Sequence, residues 1–142
     1  MTDLLDVNVL LALAWPNHLS HNSAVSWANS RQFRGFATCP MTECGFIRLS
    51  LNPAVVSEVV GLATILSILQ AFKNLGGHEF WADDLEALSV FSSVTAHLGH
   101  RQITDAYLLS LAINHQGRLV TFDKGIRALP DAERLKNLLI LE

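Results

Sequence analysis

Four acids carry the clearest chemical potential in this chain: Asp6 in TDLLDVNVLLALAW, Glu43 in PMTECGFIRLSLN, Asp105 in TDAYLLSLAINHQG and Asp123 in RLVTFD. Asp6 is the hardest to explain structurally. Apolar residues fill almost every position from Leu4 to Trp15, and Asp6 and Asn8 interrupt the run. A carboxylate or amide buried in such a stretch costs free energy unless something pairs with it. Acids are disfavoured in strands, and no Gly or Pro marks a turn there. The other three have ordinary explanations when taken singly. Glu43 and Asp105 fall where helices begin, and acids suit that end of the helix dipole. Asp123 precedes Lys124-Gly125 and is able to start a turn.

The elements that position them give the four a joint meaning. Apolar runs of strand length alternate with helical patterns. DLLDV, GFATC, HEFWA, RLVTFD and NLLILE read as strands. Helices are expected from the end of the first strand to about Trp15, over SHNSAVSWANS with Ser20 as N-cap, and over PMTECGFIRLSLN up to Pro53. Further helices are expected from about Ser57 to Phe72, over DDLEALSVFSSVTAHLG and over TDAYLLSLAINHQG. Near-continuous apolar strands alternating with helices imply an α/β fold, a parallel sheet covered by helices on both faces. The length fits one domain spanning residues 1–142.

In a parallel α/β unit, a helix that follows a strand starts at that strand's carboxyl edge. A helix that precedes a strand starts at the same edge. Asp6 and Asp123 end strands, while Glu43 and Asp105 lie in first helical turns, so all four reach one edge of the sheet. Open α/β folds bind ligands at that edge. Like charges gathered there repel, and a divalent cation relieves the repulsion. Oxygen ligands without His or Cys favour Mg²⁺ or Mn²⁺ over zinc. Such ions bind phosphate oxygens and activate water, so the pattern points to phosphodiester hydrolysis. Asn8 and Thr121 are placed to orient a carboxylate or a water. Asp83 and Asp84 reach the same edge, with helix capping as the ordinary explanation. Arg101, just before Asp105, is a candidate for phosphate contact.

Composition narrows the classes. Half of the residues are hydrophobic, 16% are charged, and the net charge is -3. That describes a globular protein without a bulk affinity for nucleic acid. Cys39 and Cys44 are too few and too poorly spaced for a disulfide framework or a zinc site, which suits reduced thiols in a cytoplasmic protein. The N-terminus lacks the basic start of a signal peptide. The apolar stretch PAVVSEVVGLATILSILQAF is broken by polar residues and reads as a buried or interface helix, with no membrane span.

LLDVNVLLAL, TECGFIRLS, ITDAYLLSLA and LVTFDKGI, in this order and spacing, resemble the PIN-domain ribonucleases, and most closely the VapC-type toxins of bacterial toxin–antitoxin systems. HLSHNSAVSW is similar to that family's His-x-x-His-x-x-Ala pattern. The resemblance covers essentially the whole chain. It implies a five-stranded parallel sheet between helices and an acidic quartet of Asp6, Glu43, Asp105 and Asp123. It also places Thr121 as the hydroxyl that precedes the last acid. The implied activity is Mg²⁺- or Mn²⁺-dependent endonucleolytic cleavage of RNA, neutralised by a cognate antitoxin, and a homodimer is commonly formed.

Other features have simpler roles. His18 and His21 have metal-pair spacing, but capping and packing is the expected role, as it is for His97 and His100. Trp15, Trp27, Phe46 and Trp81 are expected in the core. Two alternatives stand beside the nuclease. One is a non-catalytic protein that keeps the fold. The other is a phosphatase with Asp6 as covalent nucleophile, although Asn8 replaces the second acid of the D-x-D pattern. The surplus apolar surface on the helix running to Phe72 is expected to meet a second copy of the chain.

Overall fold

The computed structural model describes residues 1–92, 98–128 and 136–142. Five strands are present: β1 (Asp3–Leu5), β2 (Phe36–Thr38), β3 (His78–Phe80), β4 (Arg118–Thr121) and β5 (Leu138–Ile140). All four pairings are parallel, in the order β3-β2-β1-β4-β5. The chain winds outward from β1 to β3 on one side and from β4 to β5 on the other. The winding direction therefore reverses between β1 and β4, and the crevice at the carboxyl ends of that strand pair is where such sheets bind ligands.

The helices are α1 (Val7–Ala14), α2 (His21–Ser30), α3 (Pro40–Ser50), α4 (Pro53–Val56), α5 (Leu62–Lys73), α6 (Ala87–Phe91) and α7 (Ile103–Asn114). They cover both faces of the sheet, as expected. One core gathers Leu4, Ala37 and Leu119 with α7 residues such as Leu108 and Leu111. The other gathers Leu5, Phe36 and Val120 with Leu10, Phe46, Ile65 and Leu69. Alternate residues of one strand point to opposite faces, which is why Leu4 and Leu5 enter different cores.

One contact packs the middle of α3 against the start of α1. A Cβ on Gly45 would lie 2.6 Å from Val7 Cγ2. Only glycine lets α3 approach the first turn of α1 this closely.

The helix expected from Ser57 to Phe72 starts only at Leu62, and a separate short helix, α4, precedes it. Asn52 caps the backbone N–H of Ala54, with Pro53 in the first turn of α4. Ser57 then turns left-handed, with φ 62°, and its N–H closes on the Pro53 carbonyl. Helix α5 starts after Gly61 and ends at Lys73, before the Gly76-Gly77 pair expected to stop it. Pro53 therefore starts a helix, as its fixed φ and missing N–H allow. The helix read over DDLEALSVFSSVTAHLG is described only over Ala87–Phe91. Its continuation and His97 lie outside the described residues. Ser20 stands at the N-cap of α2 without a side-chain capping bond. Among the described residues no helix is long and apolar enough to cross a membrane.

Candidate active site

Asp6 leaves β1 and becomes the N-cap of α1. Its Oδ1 accepts the backbone N–H of Val7 at 2.7 Å, one of the donors that a helix start leaves unpaired. Its Oδ2 accepts the Thr121 hydroxyl at 2.7 Å. Thr121 closes β4 and is fully buried. Its oxygen also accepts from Asn8 Nδ2 and from the Asp123 N–H, both at 3.0 Å. One hydrogen given and two received complete what a hydroxyl can do. Asn8 Oδ1 accepts the Phe122 N–H at 3.1 Å. Asn8 thus ties α1 to the end of β4, and Thr121 joins the Asp6 carboxylate to the backbone of Asp123. With its amide engaged in this way, Asn8 does not serve as the acid that a D-x-D phosphatase requires.

Asp123 sits just past β4, with Oδ1 accepting the Gly125 N–H at 2.8 Å. Asp105 lies in the first turn of α7. Among the described residues it has no hydrogen-bond or ion-pair partner. Burial, then the charges of Asp6 and Asp123, push its carboxyl up to about 6. Burial likewise raises the Asp6 carboxyl above its ordinary range, opposed by Thr121 and Val7 and reinforced by Asp123. Three acids from β1, α7 and β4 thus share one electrostatic site at the switch point. Among the described residues no ion pair reaches any of them.

Asp3 supplies the internal contrast. It starts the strand that Asp6 follows and is fully buried. Arg118 grips both of its oxygens at 2.8 and 3.0 Å, and Arg31 adds a third contact at 3.2 Å. Among the described residues, cations pair with the acid at the amino end of β1 and none pairs with the acid at its carboxyl end.

Glu43 stands apart from the other three. Lys73 Nζ donates to its Oε1 at 2.9 Å and Oε2 at 3.2 Å, and the Thr38 hydroxyl donates to Oε2 at 3.1 Å. His78 Nε2 lies 2.8 Å from the same Thr38 oxygen. With the hydroxyl hydrogen given to Glu43, that ring nitrogen is the donor. Lys73, Thr38 and His78 were not singled out in the sequence. Thr38 offers a signal in retrospect: like Thr121, it is the last residue of a strand, and each hands its hydroxyl to an acid on the carboxyl edge.

Residues 4–132 match the family model of the PIN domain. The chain belongs to the PIN-domain family. Relatives at high coverage include ribonuclease VapC38 of Mycobacterium tuberculosis, 45% identical over 89% of this chain and 88% of that protein. Ribonuclease VapC39 of the same species is 42% identical over 89% and 91%. Ribonuclease VapC44 is 39% identical over 94% and 96%. The fold is also similar to a chain in the crystal structure of VapBC2 from Rickettsia felis bound to a DNA fragment from their promoter. That chain aligns at TM-score 0.66 and 16% identity, with both chains covered completely.

In this PIN domain, among the described residues, no three of the His, Cys, Asp and Glu side chains form a ready cage for a metal. The donor set nonetheless fits a hydrated divalent cation, of which Mg²⁺ is one example. Mg²⁺ keeps several of its waters and binds through one or two carboxylates together with substrate phosphates, without an all-protein cage. Among the described residues, Asp6 uses two of its four lone-pair directions and Asp105 uses none. Uncompensated charge and free oxygen donors at one point suit a hydrated divalent ion.

The remaining candidates resolve structurally. Asp83 Oδ2 accepts the Met41 N–H at 3.2 Å, so it caps the first turn of α3 and not its own helix. Asp84 lies 3.9 Å from His115. His18 Nδ1 accepts the Ser20 N–H and His21 Nδ1 donates to the Ala12 carbonyl, so both cap and pack. Trp81 is buried, stacks on His115 at 4.2 Å and donates to Glu79, which keeps it from RNA bases. Cys39 is buried and Cys44 exposed, and both are free thiols. Arg101 is exposed in the short 3₁₀ turn that feeds α7.

Proposed function

We propose that this chain is a metal-dependent endoribonuclease of VapC type, the toxin of a toxin–antitoxin pair, and that its reaction centre is the meeting of Asp6, Asp105 and Asp123. The observation that carries the reading is that these three acids repel one another at the switch point with no cation paired to them among the described residues. Structure alone has no use for that arrangement, whereas Asp3 shows how the same fold neutralises an acid that it needs only for stability. The mycobacterial ribonucleases that match nearly the whole chain support the same chemistry.

Mg²⁺ or Mn²⁺ bound by these residues supplies positive charge for activating water and for stabilising negative charge on phosphate oxygens. Thr121 and the Val7 N–H hold the Asp6 carboxylate in one orientation. The Gly125 N–H holds the Asp123 carboxylate, and Thr121 holds the Asp123 backbone N–H. Asp105, without such a bond among the described residues, adds its charge once the repulsion of its neighbours is offset. Arg101, exposed one turn before Asp105, contacts phosphates of the RNA. Glu43 serves the border of the same edge.

The partners follow from the same reading: an RNA substrate, a cognate antitoxin and a second copy of the chain. The dimer contact is assigned to the outer face of α4 and α5, where Val59 is 88% exposed and Leu62 and Leu66 are close to half exposed. Sequencing RNA ends after expression of the wild type and of Asp6→Asn tests the activity. New ends that depend on Asp6 are expected. Identical ends with both proteins, or none with either, favour a PIN fold that only binds.

A further inference from the structure

We propose that Lys73 is the resident cation of Glu43, and that its ammonium occupies the place a second divalent ion would need, leaving one metal centre at Asp6, Asp105 and Asp123. The inference rests on the metal-dependent reading above and defines how many ions that site takes.

The geometry around Lys73 is specific. Its ammonium spans both Glu43 oxygens and lies 4.6 Å from the centroid of the Phe80 ring. Glu43 is only 13% exposed, and its Oε2 also takes the Thr38 hydroxyl. The ammonium is therefore held from two sides, by a carboxylate and by an aromatic face. A divalent ion placed on Glu43 would meet that ammonium at close range in a partly buried site. Like-charge repulsion then requires Lys73 to leave its carboxylate and the Phe80 ring together. Among the described residues the other three acids face no such competitor, and they couple to one another. A single Mg²⁺-type ion with its waters needs no more than one or two carboxylates. Lys73 is accordingly a positioning residue. It fixes Glu43 at the border of the metal centre and sets the ion count, without touching the reacting phosphate.

Mn²⁺ titration of the full chain by calorimetry, with electron paramagnetic resonance of the bound ion, tests this. The wild type should bind one Mn²⁺ per chain with the spectrum of an isolated ion. Lys73→Met keeps the aliphatic stem and removes the charge. It should admit a second Mn²⁺ per chain and broaden the spectrum through coupling between the two ions, and adding Glu43→Gln should restore the single-ion result. Glu43→Gln alone should leave the first dissociation constant within about twofold, and this arm decides if Lys73→Met does not fold. Two tight ions in the wild type would overturn the proposal. So would a folded Lys73→Met with unchanged stoichiometry, or a Glu43→Gln that weakens the first ion about tenfold. Absence of Mn²⁺ binding in every variant, with RNA present, would overturn the metal-dependent reading itself and this inference with it.

Discussion

The Thr121 hydroxyl donates to Asp6 Oδ2 at 2.7 Å across 115 residues of sequence, and it joins the two strands between which the winding of the sheet reverses. The bond is fully buried on the Thr121 side, and the same oxygen accepts from Asn8 and Asp123. Thr121→Val keeps the shape and strands an acceptor on Asp6 and donors on Asn8 and Asp123. A loss of about 2–3 kcal/mol in denaturant unfolding is expected, most of it recovered in Thr121→Ser. A neutral Thr121→Val would show that the hydroxyl organises nothing.

Asp105 sets the pH dependence of the metal-free protein. Its folded value, about 6, lies above the ordinary 3.8. A raised carboxyl favours the protonated native state, so its stabilising effect is complete below about pH 4 and is lost as pH rises through about 6. Melting curves in chelator should therefore fall between pH 4 and 7. Asp105→Asn should flatten that fall and stabilise the apo protein at pH 7.5 by about 1–2 kcal/mol, allowing for solvent screening. Mg²⁺ should restore stability to the wild type and much less to the variant. Parallel melting curves for the two proteins in chelator would contradict the coupling.

Asp3 behaves in the opposite sense. Asp3→Asn leaves Arg118 and Arg31 facing a neutral amide at a buried site. A loss of about 3–5 kcal/mol is expected, measurable in urea at pH 7. Asp3→Asn matching the wild type in urea would remove the contrast between the two acids of this segment.

Much of this was legible in the sequence because β1 and β4 are short apolar runs that each stop at an acid. Alternation of strands and helices places such stops on one edge regardless of the exact boundaries. Lys73 was not legible for a physical reason. It ends α5, which helix–strand alternation assigns to the amino edge of the sheet. β3, however, is three residues long, about 10 Å at 3.3 Å per residue, so a lysine stem bridges the remaining distance to Glu43. The turn at Ser57 and the late start of α5 are hidden because serine gives little warning of a left-handed turn. Asp3 reads like Asp6 in sequence, and only the register of Arg118 opposite it separates a structural acid from a functional one.

Only part of the apolar surface of α5 faces outward. Ile65 and Leu69 are buried within the chain, whereas Leu62 and Leu66 are not. Leu62→Glu with Leu66→Glu should give a folded monomer by light scattering, and Ile65→Glu should unfold the chain. A wild type already monomeric at high micromolar concentration would exclude the dimer.

Cleavage of RNA by purified wild type and Asp105→Asn, each with Mg²⁺ and with chelator, tests the three-acid centre most directly. The substitution changes one charged oxygen and almost no volume, and folding is checked by circular dichroism. Wild type with Mg²⁺ should cut at defined positions, with chelator abolishing cleavage and Asp105→Asn slower by at least about 100-fold. A folded Asp105→Asn that cuts as fast as wild type, or a wild type indifferent to chelator, would contradict the assignment of Asp6, Asp105 and Asp123 as the reaction centre.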